Sequence, residues 1–188
     1  MSNAYFETQT FLPTDLPLPP GEYEQCTFQD LDLSNADLSG YKFADCTFLR
    51  CNLSMATVAQ TAFREVQFKA CKMLGIRFED CNDLGFSIRL DECALQHASF
   101  YGKKLKSTVF QHCQLQDTDF AHCDLSGSTF ADCDLAGALF ENTNLEKVDF
   151  RTAAHYSIDP DQNRIKKARF SADGLAGLLG KYDIVVEG

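Results

Sequence analysis

The sequence predicts an all-β solenoid, a chain that turns a corner every five residues and stacks its coils into a rod. Three observations carry this. A large apolar residue recurs at every fifth position over most of the chain, the residue two before it is almost always small or β-branched, and no proline lies between Gly21 and Asp159. A period of five matches neither the 3.6 of a helix nor the 2 of a strand. It matches one inward side chain per side, with four sides to a coil of about 20 residues. Stacked coils also need their backbone donors, which proline lacks.

Phe6, Phe11 and Leu16 start the pattern. Four of the five prolines then fall at Pro13–Pro20, and Leu16 to Phe28 spans twelve residues, so residues 13–20 are expected to be a loop. The first long series is Phe28, Leu33, Leu38, Phe43, Phe48, Leu53, Val58, Phe63, Phe68, Met73 and Phe78. Phe78 to Leu90 is again twelve, two more than a multiple of five, so residues 79–90 must hold a bulge or short loop. The second series alternates Leu and Phe from Leu95 to Phe150. Its inner partners, two residues earlier, are small or β-branched except Lys103, in "YGKKLKS". There the coil is expected to bulge or the lysine to swing outward, as a surface irregularity or a recognition loop.

After Phe150 the pattern fades, which divides the chain into a repeat region, 1–152, and a tail, 153–188. "SIDPDQN" reads as a turn and "RIKKARF" as a last strand. A short helix is expected from Ser171 to Leu179, stopped at Gly180, and "KYDIVVEG" alternates as a strand would. Open solenoid ends expose backbone and apolar side chains, and this tail is the candidate cap.

Eight of the nine cysteines occupy the inner slot of the two series, and Cys81 joins them if the first frame runs one repeat further. That makes them small apolar fillers. A zinc site wants paired thiolates two to four residues apart, and the chain has no C-x-x-C. No metal or cofactor is expected. Cysteines 20 apart, Cys26 and Cys46, Cys51 and Cys71, and Cys93, Cys113 and Cys133, are expected to stack.

"ADLSG" (Ala36–Gly40), "CNLSM" (Cys51–Met55), "CDLSG" (Cys123–Gly127) and "CDLAG" (Cys133–Gly137) resemble the A(D/N)LXX unit of the pentapeptide repeat proteins. The resemblance covers about residues 26–150 and implies a right-handed quadrilateral β-helix. The tail resembles the C-terminal helix-and-strand tail of the gyrase-protecting members, the Qnr group. That likeness implies a homodimer through Leu175, Leu178, Leu179, Tyr182, Ile184 and Val186, and a rod that mimics duplex DNA toward DNA gyrase or topoisomerase IV. The long projecting loops of some Qnr proteins have no counterpart, the break at 79–90 being short.

The net charge of −10 argues against nucleic acid or an anionic membrane as a direct partner. No signal peptide is evident, and the odd number of cysteines fits reduced thiols in the cytoplasm. Residues 1–41 and 111–146 hold seven acids each and no lysine or arginine. The second band nominates Asp117, Asp119, Asp124, Asp132, Asp134 and Glu141 as a partner-binding acidic face. No Ser/His/Asp or Cys/His constellation and no glycine-rich phosphate loop appears, so catalysis is not expected. The alternative is a rigid scaffold for some other protein.

Overall fold

The computed structural model describes residues 4–185. Every member of the two apolar series is buried, and the chain forms a right-handed quadrilateral β-helix around them. Face I carries β1 (Ala4–Glu7), β3 (Gly21–Glu24), β5 (Lys42–Ala44) and β7 (Ala62–Arg64). Face II carries β2 (Thr10–Phe11), β4 (Thr27–Gln29), β6 (Thr47–Leu49), β8 (Val66–Lys69), β9 (Ile88–Asp91), β10 (Val109–Gln111) and β11 (Thr129–Ala131). Both sheets are parallel. Faces III and IV are turns joined by single bridges. The Asp32–Asn52–Lys72 column runs up face III, and the Ser99–Asp119–Leu139 column runs up face IV.

The stacking turns sequence period into packing. Identical rings lie one coil apart, Phe28 on Phe48 at 4.5 Å, Phe110 on Phe130 at 4.7 Å and Phe120 on Phe140 at 5.2 Å, all within 13° of parallel. Rings on neighbouring faces meet edge-on, as Phe110 and Phe120 do at 88°. Both geometries suit the aromatic quadrupole. The inner slot has a polar duty that its small size hides. Thr61, Thr118, Ser128 and Thr143 donate to the carbonyls of Leu38, Leu95, Leu105 and Phe120, one coil below. Cys51, Cys71, Cys93 and Cys123 donate in the same way to Phe28, Phe48, Phe68 and Phe100. A small side chain with a donor fills the space and satisfies a buried carbonyl. Each corner needs a left-handed residue. Gly40, Gly127 and Gly137 supply it without strain, while His112, Asp117 and Asp132 adopt φ of 50–55° there.

Two coils depart from the regular register, in which partners lie 20 residues apart, as in Phe28 and Phe48. The first coil is shortened, Phe11 pairing with Phe28, and its Pro13–Asp15 segment is a 3-10 turn. The coil at the break is lengthened, Phe68 pairing with Leu90 and Arg77 bridging Ser99. Lys103 explains how that coil is held, and it corrects the expectation of a bulge or an outward side chain. It stays in the inner column at 3% exposure. Its ammonium donates to the Cys81 carbonyl at 2.7 Å and to Asp83 at 2.6 Å, and lies over the Phe86 ring. Its slot neighbours donate to a carbonyl below through short side chains. Lys103 does so with a long arm, because the inserted residues beneath it interrupt the face I ladder.

The solenoid also runs past the expected boundary at 152. Asn144 bridges Arg164, Asp149 bridges Arg169, and Phe170 stacks on Phe150 at 5.4 Å. The fading pattern misled because His155 and Pro160 fall where an inward apolar residue was due, while Tyr156 and Ile158 fill the interior. The tail holds two 3-10 turns, Asp173–Leu178 and Gly180–Tyr182, in place of the expected α-helix. Ser171 does accept from the Gly174 amide. The expected final strand is not formed at Tyr182–Val185, and Val186 lies outside the described residues. The turns press on Tyr156, and the Ile158 amide donates to the Gly177 carbonyl. A Cβ on Gly177 would lie 2.8 Å from the Tyr156 ring and would collide with its carbonyl oxygen. Only glycine, with no Cβ, allows that approach.

Candidate functional site

Outward acids on this rod have two origins. Where aspartate or asparagine stands just before an inward Leu or Phe, it accepts a hydrogen bond from the backbone amide two residues on. Ser34 donates to Asp32, Ser39 to Asp37, Ala121 to Asp119, Ser126 to Asp124 and Ala136 to Asp134, all at 2.8–3.1 Å. These side chains close the corner as Asx turns. The Ser34 and Ser39 hydrogen bonds hold the Asp32 and Asp37 carboxyls below the usual range. Asp117, Asp132 and Glu141 lie after the inward residue, where no such bond is needed.

The six nominated acids do not form one face. Asp117 and Asp134 lie on face III, and Asp119 and Glu141 on face IV. Asp124 lies on face I and Asp132 on face II. The structure brings four of them to two adjacent faces and sets the other two on the remaining sides. It also adds acids that the banding overlooked. From Asp32 to Asp161, faces III and IV also carry Asp37, Glu79, Asp80 and Asp159, against the two bases Lys72 and Arg77. Acids and bases nearly balance on faces I and II, where Lys42 pairs with Glu22, Arg50 with Asp30 and Arg164 with Glu146. The net charge therefore sits along one edge of the rod, where faces III and IV meet. A residue's place within its coil selects the face, and grouping acids by nearness in the chain hid this.

Local partners grade that edge. His155 beside Asp134, at 2.8 Å, holds its carboxyl low. Lys181 reaches over both Asp159 and Asp161. Among the described residues, Asp117 has only His97, at 3.7 Å. Among the described residues, Asp119 and Glu141 have no lysine, arginine or histidine within 4 Å. Asp32 and Asp37, lower on the edge, likewise have none among the described residues.

The thiols lie inside. Cys51, Cys71, Cys93, Cys113 and Cys133 form one continuous ladder up face III, each thiol next to another one coil away. Burial pushes the Cys81 and Cys123 thiols up to about 12. The neighbouring thiol, with burial, does the same for Cys93 and Cys113. Thiolate is the reactive form, so these groups are poor nucleophiles at neutral pH. Thiol titration of the native chain at pH 8 is expected to leave them unlabelled over minutes, and denaturant to release all nine cysteines. Rapid native labelling of most thiols would contradict the interior placement.

A family model described as "Pentapeptide repeat region" matches residues 86–150 and 103–177. The chain belongs to the pentapeptide repeat proteins. No curated protein matches it by sequence. Among solved structures it is similar to QnrB1, described as a plasmid-mediated fluoroquinolone resistance protein, at 19% identity over 99% of each chain, with a TM-score of 0.48. It is also similar to HetL, a pentapeptide repeat protein involved in heterocyst differentiation regulation in the cyanobacterium Nostoc, at 14% identity over 80% and 89% of the two chains and a TM-score of 0.34. A further match, Rfr23 from the cyanobacterium Cyanothece, covers 57% of this chain and 88% of its own at 14% identity, with a TM-score of 0.27.

The repeat also sorts the apolar residues nominated in the tail. Leu178 packs against the end of the solenoid core, and Leu179 is half-buried. Leu175, Tyr182 and Ile184 are exposed, and Val185, which the sequence argument passed over, is the most exposed of all at 86%. Two of the nominees thus seat the tail, three point away from it, and Val186 is not described.

Proposed function

We propose that this pentapeptide repeat rod is a non-catalytic protein-binding module. Its acidic edge engages the basic, DNA-binding surface of a type II topoisomerase in place of duplex DNA. The observation that carries this reading is the gathering of net charge onto faces III and IV while faces I and II stay balanced. Electrostatics of that kind steer association and weaken as salt rises.

Supercoiling by DNA gyrase, titrated with the protein in the presence and absence of a fluoroquinolone, tests it. Inhibition at high protein, protection from the drug at lower protein, or both are expected. Asp80→Asn, Asp117→Asn, Asp119→Asn and Glu141→Gln together are expected to abolish the effect. Asp124→Asn with Asp132→Asn, which discharges the other two faces, is expected to leave it intact. If the wild-type rod leaves supercoiling untouched, the scaffold alternative is the better one.

The exposed apolar set Leu175, Tyr182, Ile184 and Val185 supports a second part of the reading, a homodimer joined through the tail. Sedimentation at micromolar concentration is expected to show a dimer for the wild type and a monomer for Leu175→Glu with Ile184→Glu. A monomeric wild type would reduce the tail to a cap.

A further inference from the structure

The shortened first coil leaves the N-terminal end of faces III and IV without a ladder. In the regular coils, amides on these faces donate to carbonyls one coil below, as Asn52 does to Leu31 and Thr57 to Ala36. Carbonyls of the same coil accept from below, Asn52, Ser54, Thr57 and Ala59 taking the Leu33, Asn35, Leu38 and Gly40 amides. One coil lower, the equivalent groups are the Asp32 and Asp37 amides and the Asp32, Ser34, Asp37 and Ser39 carbonyls. None of these has a hydrogen-bond partner among the described residues. Beneath them runs the loop that holds the Pro13–Asp15 turn, which forms no bridge to this coil. It is tied elsewhere, the Tyr23 and Tyr41 hydroxyls donating to the Pro19 and Leu18 carbonyls. Between loop and coil lies a cavity of about 520 Å³, walled by Leu16 and Leu18 on one side and by Leu33, Leu38 and Tyr41 on the other. Asp32 and Asp37 line the same cavity and are exposed.

We infer that this end is a docking edge for an extended, basic segment of a partner protein, which pairs beneath the Asp32–Asp37 coil and puts one aliphatic side chain into the cavity. An open ladder is a template for another strand, and a peptide main chain supplies the donors and acceptors that the loop does not. The apolar gain comes from the cavity, where Leu33 and Leu38 are the lowest members of their inward columns and an aliphatic group would extend the stack by one place. Charge selects the flanks. Residues 1–41 hold seven acids and no lysine or arginine, so a basic segment is favoured and an acidic one repelled. The tail of a second copy has the wrong chemistry, because Ile184 and Val185 lie between Asp183 and Glu187. A small apolar molecule would leave the ladder groups unmet. The inference goes beyond the acidic-edge reading, since it requires neither a topoisomerase nor the acids higher on the rod.

The test titrates the full-length chain with heptapeptides, acetylated and amidated, that carry lysine or arginine at both ends and leucine, isoleucine or valine at the centre. By NMR, the Asp32 and Asp37 amides are expected to exchange rapidly in the free chain and slowly in the complex, with the Leu33 and Leu38 methyls shifting on binding. Serine at the peptide centre is expected to weaken binding about 10-fold, and N-methylation along the pairing side of the peptide at least as much. Asp32→Asn with Asp37→Asn is expected to weaken it about 3–10-fold, the equivalent of two exposed ion pairs. Asp124→Asn with Asp132→Asn is expected to leave it unchanged. Failure of every peptide to bind, equal affinity for the N-methylated form, or equal loss from the two pairs of variants would overturn the inference. So would slow exchange of the Asp32 and Asp37 amides in the free chain that depends on protein concentration, because a second copy would then cover the edge. Peptide binding by a protein without effect on gyrase would remove the topoisomerase reading and leave this docking edge standing.

Discussion

Replacing Phe120 with aspartate is expected to unfold the rod. Phe120 is wholly buried, stacked between Phe100 at 5.3 Å and Phe140 at 5.2 Å, with Phe110 and Phe130 edge-on to it. Losing the ring alone costs about 3–5 kcal/mol. The carboxylate adds the cost of a charge in a dry column where no base is near. In a solenoid the damage spreads, because each coil is stabilised mainly by its neighbours. Asp124→Asn, four residues away but outward, keeps an oxygen for the Ser126 amide and is expected to change little. Denaturant melts of the two variants give the comparison. Equal losses would mean that the assigned inward column is wrong.

Gly177→Ala is expected to lift the tail. The added methyl would press into the Tyr156 carbonyl and ring, both fixed by the last coil. Overpacking of this kind costs about 1–3 kcal/mol. The turn can escape only by giving up the bond between the Ile158 amide and the Gly177 carbonyl. Lifting it uncovers Tyr156 and Phe170, which close the interior above Phe150. Lower stability is expected, together with protease cutting between Ser171 and Lys181 that spares the coils. A variant as stable and as protease-resistant as the wild type would show that the glycine edge does not seat the tail.

Much of this architecture is legible in the sequence because the period of five leaves a mark on every coil. Phe120 and its companions follow from counting alone. The cysteine ladder was only half legible. Cys51 and Cys71 were assigned to one stack and Cys93, Cys113 and Cys133 to another, because the two extra residues of the break shift the count between Cys71 and Cys93. The break and Lys103 were each visible as irregularities. That one repairs the other is a contact across a whole coil, between Lys103 and Cys81, which spacing does not reveal. The acids failed for a different reason. Asp124 and Asp132 are near Asp117 and Asp119 in the chain, yet a corner every five residues sends them to other sides of the rod. Counting within the coil, rather than along it, would have found the edge and its neighbours Asp37 and Asp80. The tail was misread because the close approach of Gly174 and Gly177 to Tyr156 is tertiary and leaves no mark in the spacing.

The most direct test of the acidic edge is competition between the rod and duplex DNA for gyrase at low and high salt, with face-selective variants. Wild type is expected to displace DNA at low salt and to lose that ability as salt rises. Neutralising Asp80, Asp117, Asp119 and Glu141 is expected to abolish displacement, and neutralising Asp124 and Asp132 to preserve it. Equal loss from both sets, or no displacement by the wild type at low salt, would contradict the claim that one edge of this rod stands in for DNA.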